Sequence, residues 1–317
     1  MADQSEASDF VVHVDQLLKK IKYVYLFATN QVWNPLFEPL PRNRTYEELE
    51  RIAREVRKDI IRVTNAAGSG HPGGSLSSAD ILTALYFRLL KHDPKNPKWE
   101  GRDIFILSKG HAAPGYYSVL AEAGYFSKEE LMTLRKMGSR IQGHAHTDVP
   151  GVEVSTGSLG QGLSIANGFA LSYRLDGRSQ RIVALLSDGE NDEGQTWEAA
   201  MFASFRKLDN ITIYVDRNGI QNDGFTKDIL DTSPLEEKWR AFGWNVIVID
   251  GHSMKQIVEA YEASLKVKGK PTAIIASTVK GKGVSFMENN VAFHGKAPNK
   301  EETIKALAEL DAGSGSK

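Results

Sequence analysis

Two turns in this chain carry oxygen donors in a pattern that can hold a cation and an anion side by side. The first is Ser187-Asp188-Gly189-Glu190; the second, one helical stretch further on, is Asp216-Arg217-Asn218-Gly219-Ile220. Asp188 offers a carboxylate, Asn218 an amide carbonyl, and the irregular backbone at Ile220 a third oxygen. A hard divalent ion, Mg²⁺ or Ca²⁺, takes such ligands, and Mg²⁺ usually completes its shell with phosphate and water. Gly189 leaves room for a phosphate to approach the backbone, and the helix that follows would aim its N-terminus at that anion. A lone Asp-Gly is an ordinary sheet-edge turn. A second polar turn of this kind at the next strand end is the stronger sign of a ligand. Of the eight histidines, four (His71, His111, His144 and His294) stand in glycine-flanked loops. Imidazole is the side chain suited to moving protons near neutral pH. His13, His92 and His252 are given no such role.

Positioning these groups falls to a strand, Ile182–Leu186, a helical pattern from Trp197 to Phe205, and a strand, Ile211–Val215. That succession is one βαβ crossover. It sets the two turns together at the carboxyl ends of neighbouring parallel strands, where open α/β sheets bind ligands. Upstream, Thr45 and Glu48 fit a capping box. The series Leu49, Ile52, Val56, Ile60 and Val63 then carries a helix to the glycine-rich Ala67–Gly74 loop. A helix is predicted over Ser78–Leu90, a strand over Asp103–Leu107, and helices to Glu122 and from Lys128 to Arg135. An irregular Gly143–Gly157 loop leads to a helix over Leu159–Tyr173. Downstream come helices near Leu235–Phe242 and Met254–Lys266, alternating with strands Val246–Asp250 and Ala273–Thr278. Strands alternating with helices predict an α/β fold, a doubly wound, mostly parallel sheet with helices on both faces.

One domain is expected over residues 45–312, preceded by an amino-terminal extension, 1–44. In that extension Phe10–Ala28 has helical spacing, and Trp33, Leu36, Phe37 and Leu40 lie among prolines that forbid a continuing helix. Such large apolar groups must pack on something, their own domain or a neighbouring chain. The glycine–serine tail, 313–317, is expected to be disordered. With 41% hydrophobic and 25% charged residues and a net charge of −1, the composition is globular and gives no basic patch for nucleic acid. No apolar run is long enough to span a membrane. The acidic start lacks signal-peptide order, so a cytoplasmic location is expected. Zero cysteines exclude disulfides, thiolate catalysis and cysteine metal sites.

The pair of turns resembles the diphosphate- and metal-binding motif of thiamine-diphosphate enzymes, and its surroundings resemble the transketolase family. The matching segments are Ala67–Gly74, Leu107–Ala112, Gly143-His144, Thr156–Gly162, Ser187–Glu190, Asp250–His252, Lys280–Gly283 and Phe293–Gly295, in the family's order. They correspond to the amino-terminal half of an ordinary transketolase. The resemblance implies thiamine diphosphate and a divalent metal held by Asp188, Asn218 and the Ile220 carbonyl. Gly74, His111, Gly157, Ser158, Leu159, Gly189, Lys280 and His294 would line the cofactor. His71 and His294 would transfer protons at the substrate, a sugar phosphate, and His144 would meet its C1 hydroxyl. Glu193 and Glu198 match acids that face the family's dimer interface. Two positions depart from the pattern: Ser187 stands where glycine is frequent, and His146 is unmatched. In this family the glutamate that activates the aminopyrimidine lies in a second domain, and nothing after Lys300 encodes it. The resemblance therefore implies the amino-terminal subunit of a split transketolase. It would form a homodimer within a heterotetramer and need a separate carboxy-terminal, pyrimidine-binding subunit to transfer a two-carbon ketol unit. The alternatives are a subunit like that of deoxyxylulose-phosphate synthase or of a 2-oxo-acid decarboxylase, or a non-catalytic cofactor-binding paralogue.

Overall fold

Thr45 starts the first helix in the way its neighbours dictate. Its hydroxyl accepts the Glu48 N–H at 3.2 Å while the Glu48 carboxylate takes the Thr45 N–H at 2.7 Å, the reciprocal cap expected of this sequence. This helix, α1 (Tyr46–Ala67), buries Leu49, Ile52, Val56, Ile60 and Val63 and stops at Gly68, in the left-handed region at φ +61°, where glycine carries no Cβ penalty. The computed structural model describes residues 44–313. Expectations for residues 1–43 and 314–317 lie outside the described residues.

The glycine-rich stretch expected as a loop is helical in its second half: α2 (Pro72–Ser77) has proline in its first turn. Propensity argues against helix at Gly73 and Gly74, but packing decides. A Cβ at Gly73 would stand 2.8 Å from the Phe293 carbonyl oxygen and 3.1 Å from the Lys280 side chain. Next come α3 (Ala79–Ala84), which runs into a π-helical turn at Leu85–Leu89, β1 (Ile104–Leu107) and α4 (Ala113–Glu122). The helix expected from Lys128 to Arg135 is shorter, α5 (Lys128–Leu131). The chain then turns, and the Arg135 N–H bonds to the Ile141 carbonyl. The remaining elements are α6 (Gln161–Leu175), β2 (Ile182–Ser187), α7 (Gly194–Phe205), β3 (Ile211–Arg217), α8 (Thr226–Ile229), α9 (Leu235–Ala241), β4 (Asn245–Asp250), α10 (Met254–Ser264), β5 (Thr272–Ser277) and α11 (Lys300–Ala312).

The five strands among the described residues are all parallel, in the order β1-β2-β3-β5-β4. Alternate residues of each central strand serve opposite layers. Ile182, Ala184 and Leu186 pack with Leu163 and Ala166 of α6, Ala199 and Ala203 of α7, and Trp239 of α9. Val183 and Leu185 belong to the other layer, with Ile60 of α1, Leu82 of α3 and Ile257 of α10. Burial on both faces is why these strands read as unbroken apolar runs. The sheet is thus doubly wound, as the alternation predicted. The final helix, α11, was not foreseen. Its own capping box joins Asn299 and Glu302, and Ala306 and Leu310 share the layer of α1. No helix among the described residues is long and apolar enough to cross a membrane.

Candidate active site

The register of β2 on β3 sets Ser187 beside Asp216, so the two polar turns leave the sheet together. Asp188 ties them: Oδ1 accepts the Gly189 N–H at 2.9 Å and Oδ2 the Gly219 N–H at 2.6 Å. Asn218 turns its carbonyl oxygen to the Ile220 N–H at 3.1 Å and donates through Nδ2 to Asp216 at 3.0 Å. The Ile220 carbonyl accepts the Lys280 ammonium at 2.7 Å. All three oxygen-bearing residues are buried. Asp188 has φ −63°, and Ser187 is not in the left-handed region, so the turn accepts serine without strain. Burial, then the nearby Asp216 charge, pushes the Asp188 carboxyl up to about 6. A buried carboxylate next to two neutral oxygens could serve a hard divalent cation.

Three buried residues support this arrangement, and sequence reasoning assigned none of them a role. Lys109 and Asp216, both fully buried, pair at 2.5 Å. Lys109 also reaches the Gly74 carbonyl at 2.8 Å. Asp216 collects Ser77 at 2.6 Å, Asn218 and Thr278 as well, so one carboxylate fixes the Asn218 amide against α2 and the end of β5. Glu190 joins three loops, accepting from the Ser108 hydroxyl, the Gly160 N–H at 2.8 Å and the Ser187 N–H at 3.3 Å. Burial raises its carboxyl to about 7. Their residue types were visible in the motifs. Their convergence, across three strands and a helix, was not.

The four loop histidines meet. The His71 ring centroid lies 5.3 Å from that of His111, 6.0 Å from His144 and 5.5 Å from His294; His111 and His294 stack at 5.4 Å. Lys280 links this cluster to the oxygen-bearing turns, because its ammonium lies 2.7 Å from His294 Nδ1 as well as on the Ile220 carbonyl. Gly74 abuts His111, whose Nε2 would be 3.4 Å from an added Cβ. All four rings are held below the ordinary histidine range, first by burial. Positive neighbours come next: Arg135 for His71 and His144, Lys280 for His294, Lys109 for His111. His71 falls to about 4 and His294 to about 3. At neutral pH these rings are uncharged in the unliganded chain. The Lys280 ammonium is itself lowered to about 8, chiefly by burial. An anion beside it would offset that loss. His71 Nδ1 is buried without a hydrogen-bond partner.

A cavity of about 620 Å³ opens beside His144, lined also by His146, Gly157, Ser158 and Gln161. Gly157 passes close to the His144 ring, at 3.3 Å for an added Cβ. Leu159 follows, half-buried, ahead of Gly160 at φ +85°. His146 is exposed, 3.4 Å from the Asp148 carboxylate. Glu193 and Glu198 stand exposed at the start of α7 and along it. The two remaining described histidines are tied to structure. His92 bonds the Tyr86 carbonyl and the Tyr125 hydroxyl. His252 bonds Asp80 at 2.7 Å and accepts the Val279 N–H at 2.9 Å.

Comparison with known proteins identifies the family. The family described as "Transketolase, thiamine diphosphate binding domain" matches residues 49–312. The chain is 46% identical over 265 residues to the 6-deoxy-6-sulfo-D-fructose transketolase subunit SqwG of Clostridium sp. (strain MSTE9), a match covering 83% of this chain and 96% of that one. It is 45% identical over 272 residues to one of the subunits of the apulose-4-phosphate transketolase of Actinobacillus succinogenes, covering 85% and 98%. The crystal structure of transketolase from Campylobacter jejuni superposes with a TM-score of 0.77 at 35% identity, over 84% of this chain but 42% of that one. The chain thus spans less than half the length of that solved transketolase.

Proposed function

The chain belongs to the transketolase family as its thiamine-diphosphate-binding domain, and from that premise we propose that it is the diphosphate-binding subunit of a split transketolase. The observation that carries the reading is the cluster of four imidazoles that Lys280 joins, through His294, to the Ile220 carbonyl of the Asn218 turn. Near-complete coverage of relatives named as subunits supports a separate polypeptide for the remaining half.

In this reading Asp188, Asn218 and the Ile220 carbonyl hold Mg²⁺ or Ca²⁺, and the ion and Lys280 together offset the diphosphate charge. Gly189 and Gly74 let the diphosphate close to the backbone, with His111 beside it. Gly157, Ser158 and Leu159 line the rest of the cofactor. When bound, thiamine diphosphate supplies a carbanion nucleophile; the protein orients it and moves protons. His71 and His294 accept and return protons at the substrate carbonyl and hydroxyls, and His144 holds the C1 hydroxyl. A general base works best with a pKa near the working pH, and an anion bound beside Lys280 would offset the charge that lowers the His294 ring and lift it toward that range. The two-carbon unit passes from a ketose phosphate to an aldose phosphate; the sulfo and phosphate sugars in the names of the two subunit relatives support a donor with an anionic group. Calorimetric titration of the purified chain with thiamine diphosphate tests the reading. Binding is expected with Mg²⁺ or Ca²⁺ and absent in EDTA; equal binding in both would refute the assigned metal set.

A further inference from the structure

Arg135 is one of three non-glycine residues in the left-handed region among those described, at φ +59°. A Cβ is disfavoured in that conformation, and an outlier of this kind next to a site asks for a function. Two contacts supply one. Its Nη1 donates to Ser69 Oγ at 2.8 Å, two residues before His71. Its guanidinium lies under the backbone at Gly143, one residue before His144: a Cβ added there would meet Nε at 2.6 Å and Nη2 at 2.7 Å. The Arg135 N–H, bonded to the Ile141 carbonyl at 2.9 Å, closes the turn that brings the guanidinium to that place.

We propose that Arg135 is a positioning residue for ketol transfer, clamping the loop of His71 to the loop of His144 and fixing how the two rings face each other. The inference rests on the proposed transferase reading, in which both rings meet the substrate. The planar guanidinium reaches both loops at once, bonding Ser69 through Nη1 and packing its Nε–Cζ–Nη2 edge against Gly143. A second consequence is electrostatic. The groups facing His71 are Arg135, His144, His111, His294 and Lys280; those facing His144 are Arg135 and His71. Arg135 is the foremost charge on both after burial and helps keep each ring unprotonated.

Arg135→Gly and Arg135→Lys separate this role from a merely structural one. Glycine suits φ +59° better than arginine does, so Arg135→Gly is expected to melt no lower than the parent. Its turnover, in the assembly with the complementary subunit, is expected to fall about tenfold or more through misplaced groups. Thiamine diphosphate affinity should change far less than turnover, since Arg135 meets Ser69 and Gly143 and none of Asp188, Asn218, Gly189 or Lys280. In ¹⁵N-histidine NMR titrations of the chain alone, the His71 and His144 midpoints are expected to rise toward the free-histidine value. Arg135→Lys, which keeps the charge but not the fork, should leave the midpoints low while turnover stays depressed. Wild-type turnover with unmoved midpoints in Arg135→Gly overturns the proposal. So does a loss in Arg135→Gly that follows loss of folded protein and is absent in Arg135→Lys. An inactive parent assembly would instead count against the transferase reading, and the NMR titration alone would then decide whether Arg135 sets the two rings.

Discussion

Asp188 sits where a carboxylate is hardest to keep charged, buried and near Asp216, and its carboxyl is raised to about 6. A metal binds only the ionised form. Affinity for thiamine diphosphate in Mg²⁺ should therefore be level above pH 7 and fall by about tenfold per unit below pH 6, which titration calorimetry across that range would show. Asp188→Asn keeps a similar shape and an acceptor for one N–H but removes the charge. It should weaken metal-dependent binding by about 10- to 100-fold, the worth of a charged contact, and abolish the pH step. At the histidines, His71→Ala or His294→Ala in the assembled enzyme should lower kcat by about 10²-fold or more. Cofactor affinity should fall mainly in His294→Ala, because that ring contacts Lys280; steady-state rates with cofactor titration separate the two effects. These residues stood out in the sequence by their glycine-flanked turns, and the family resemblance supplied the roles expected of them. Asp216, Lys109, Glu190 and Arg135 were not, because each acts on residues distant in sequence that only the folded chain brings within reach.

Within single elements, local rules and packing can oppose each other, and α6 shows both outcomes. Gly168 has nothing within 4 Å of an added Cβ, so Gly168→Ala should stabilise the chain by about 0.5–1 kcal/mol through helix propensity. Gly162, in the first turn of the same helix, would put its Cβ 2.2 Å from Ser108 Oγ and 2.8 Å from Ser108 Cα. There the cost of overpacking, about 1–3 kcal/mol, exceeds any propensity gain. Gly162→Ala should destabilise the chain and, by displacing the Ser108–His111 loop, weaken cofactor binding. Urea unfolding of both variants checks the pair; a stabilised Gly162→Ala would show that α6 and that loop are not in close register. The same contest explains what the sequence revealed of the elements. The cap of α1 and the apolar runs of β2 and β3 follow local rules and read directly. Helix α2 does not, since its glycines are chosen for contact with Lys280 and Phe293 rather than for propensity. Helix α11 went unread although Asn299 and Glu302 carry the same capping signal as Thr45 and Glu48.

At the scale of the whole molecule, the parallel sheet brings every proposed cofactor contact to one end, and α7 displays an outward face. Glu193 and Glu198 are exposed there, with Met201 54%, Phe202 42% and Phe205 79% exposed further along. In the proposed assembly this face meets a second copy of the chain, and the complementary subunit covers the histidine cluster and supplies the group that acts on the aminopyrimidine. Fold class and sheet winding were legible because strand and helix periods alternate along the chain. The partner was legible only through the resemblance, since no residue pattern here names what lies on another chain. The measurement that tests the central proposal most directly is a coupled ketol-transfer assay on the purified chain, free of any second polypeptide, with thiamine diphosphate, Mg²⁺, xylulose 5-phosphate and ribose 5-phosphate. The chain alone is expected to show no turnover above background and to gain it when the complementary subunit is added. Turnover by the chain alone at an ordinary enzymatic rate, about 1 s⁻¹ or faster, would contradict the split-subunit account.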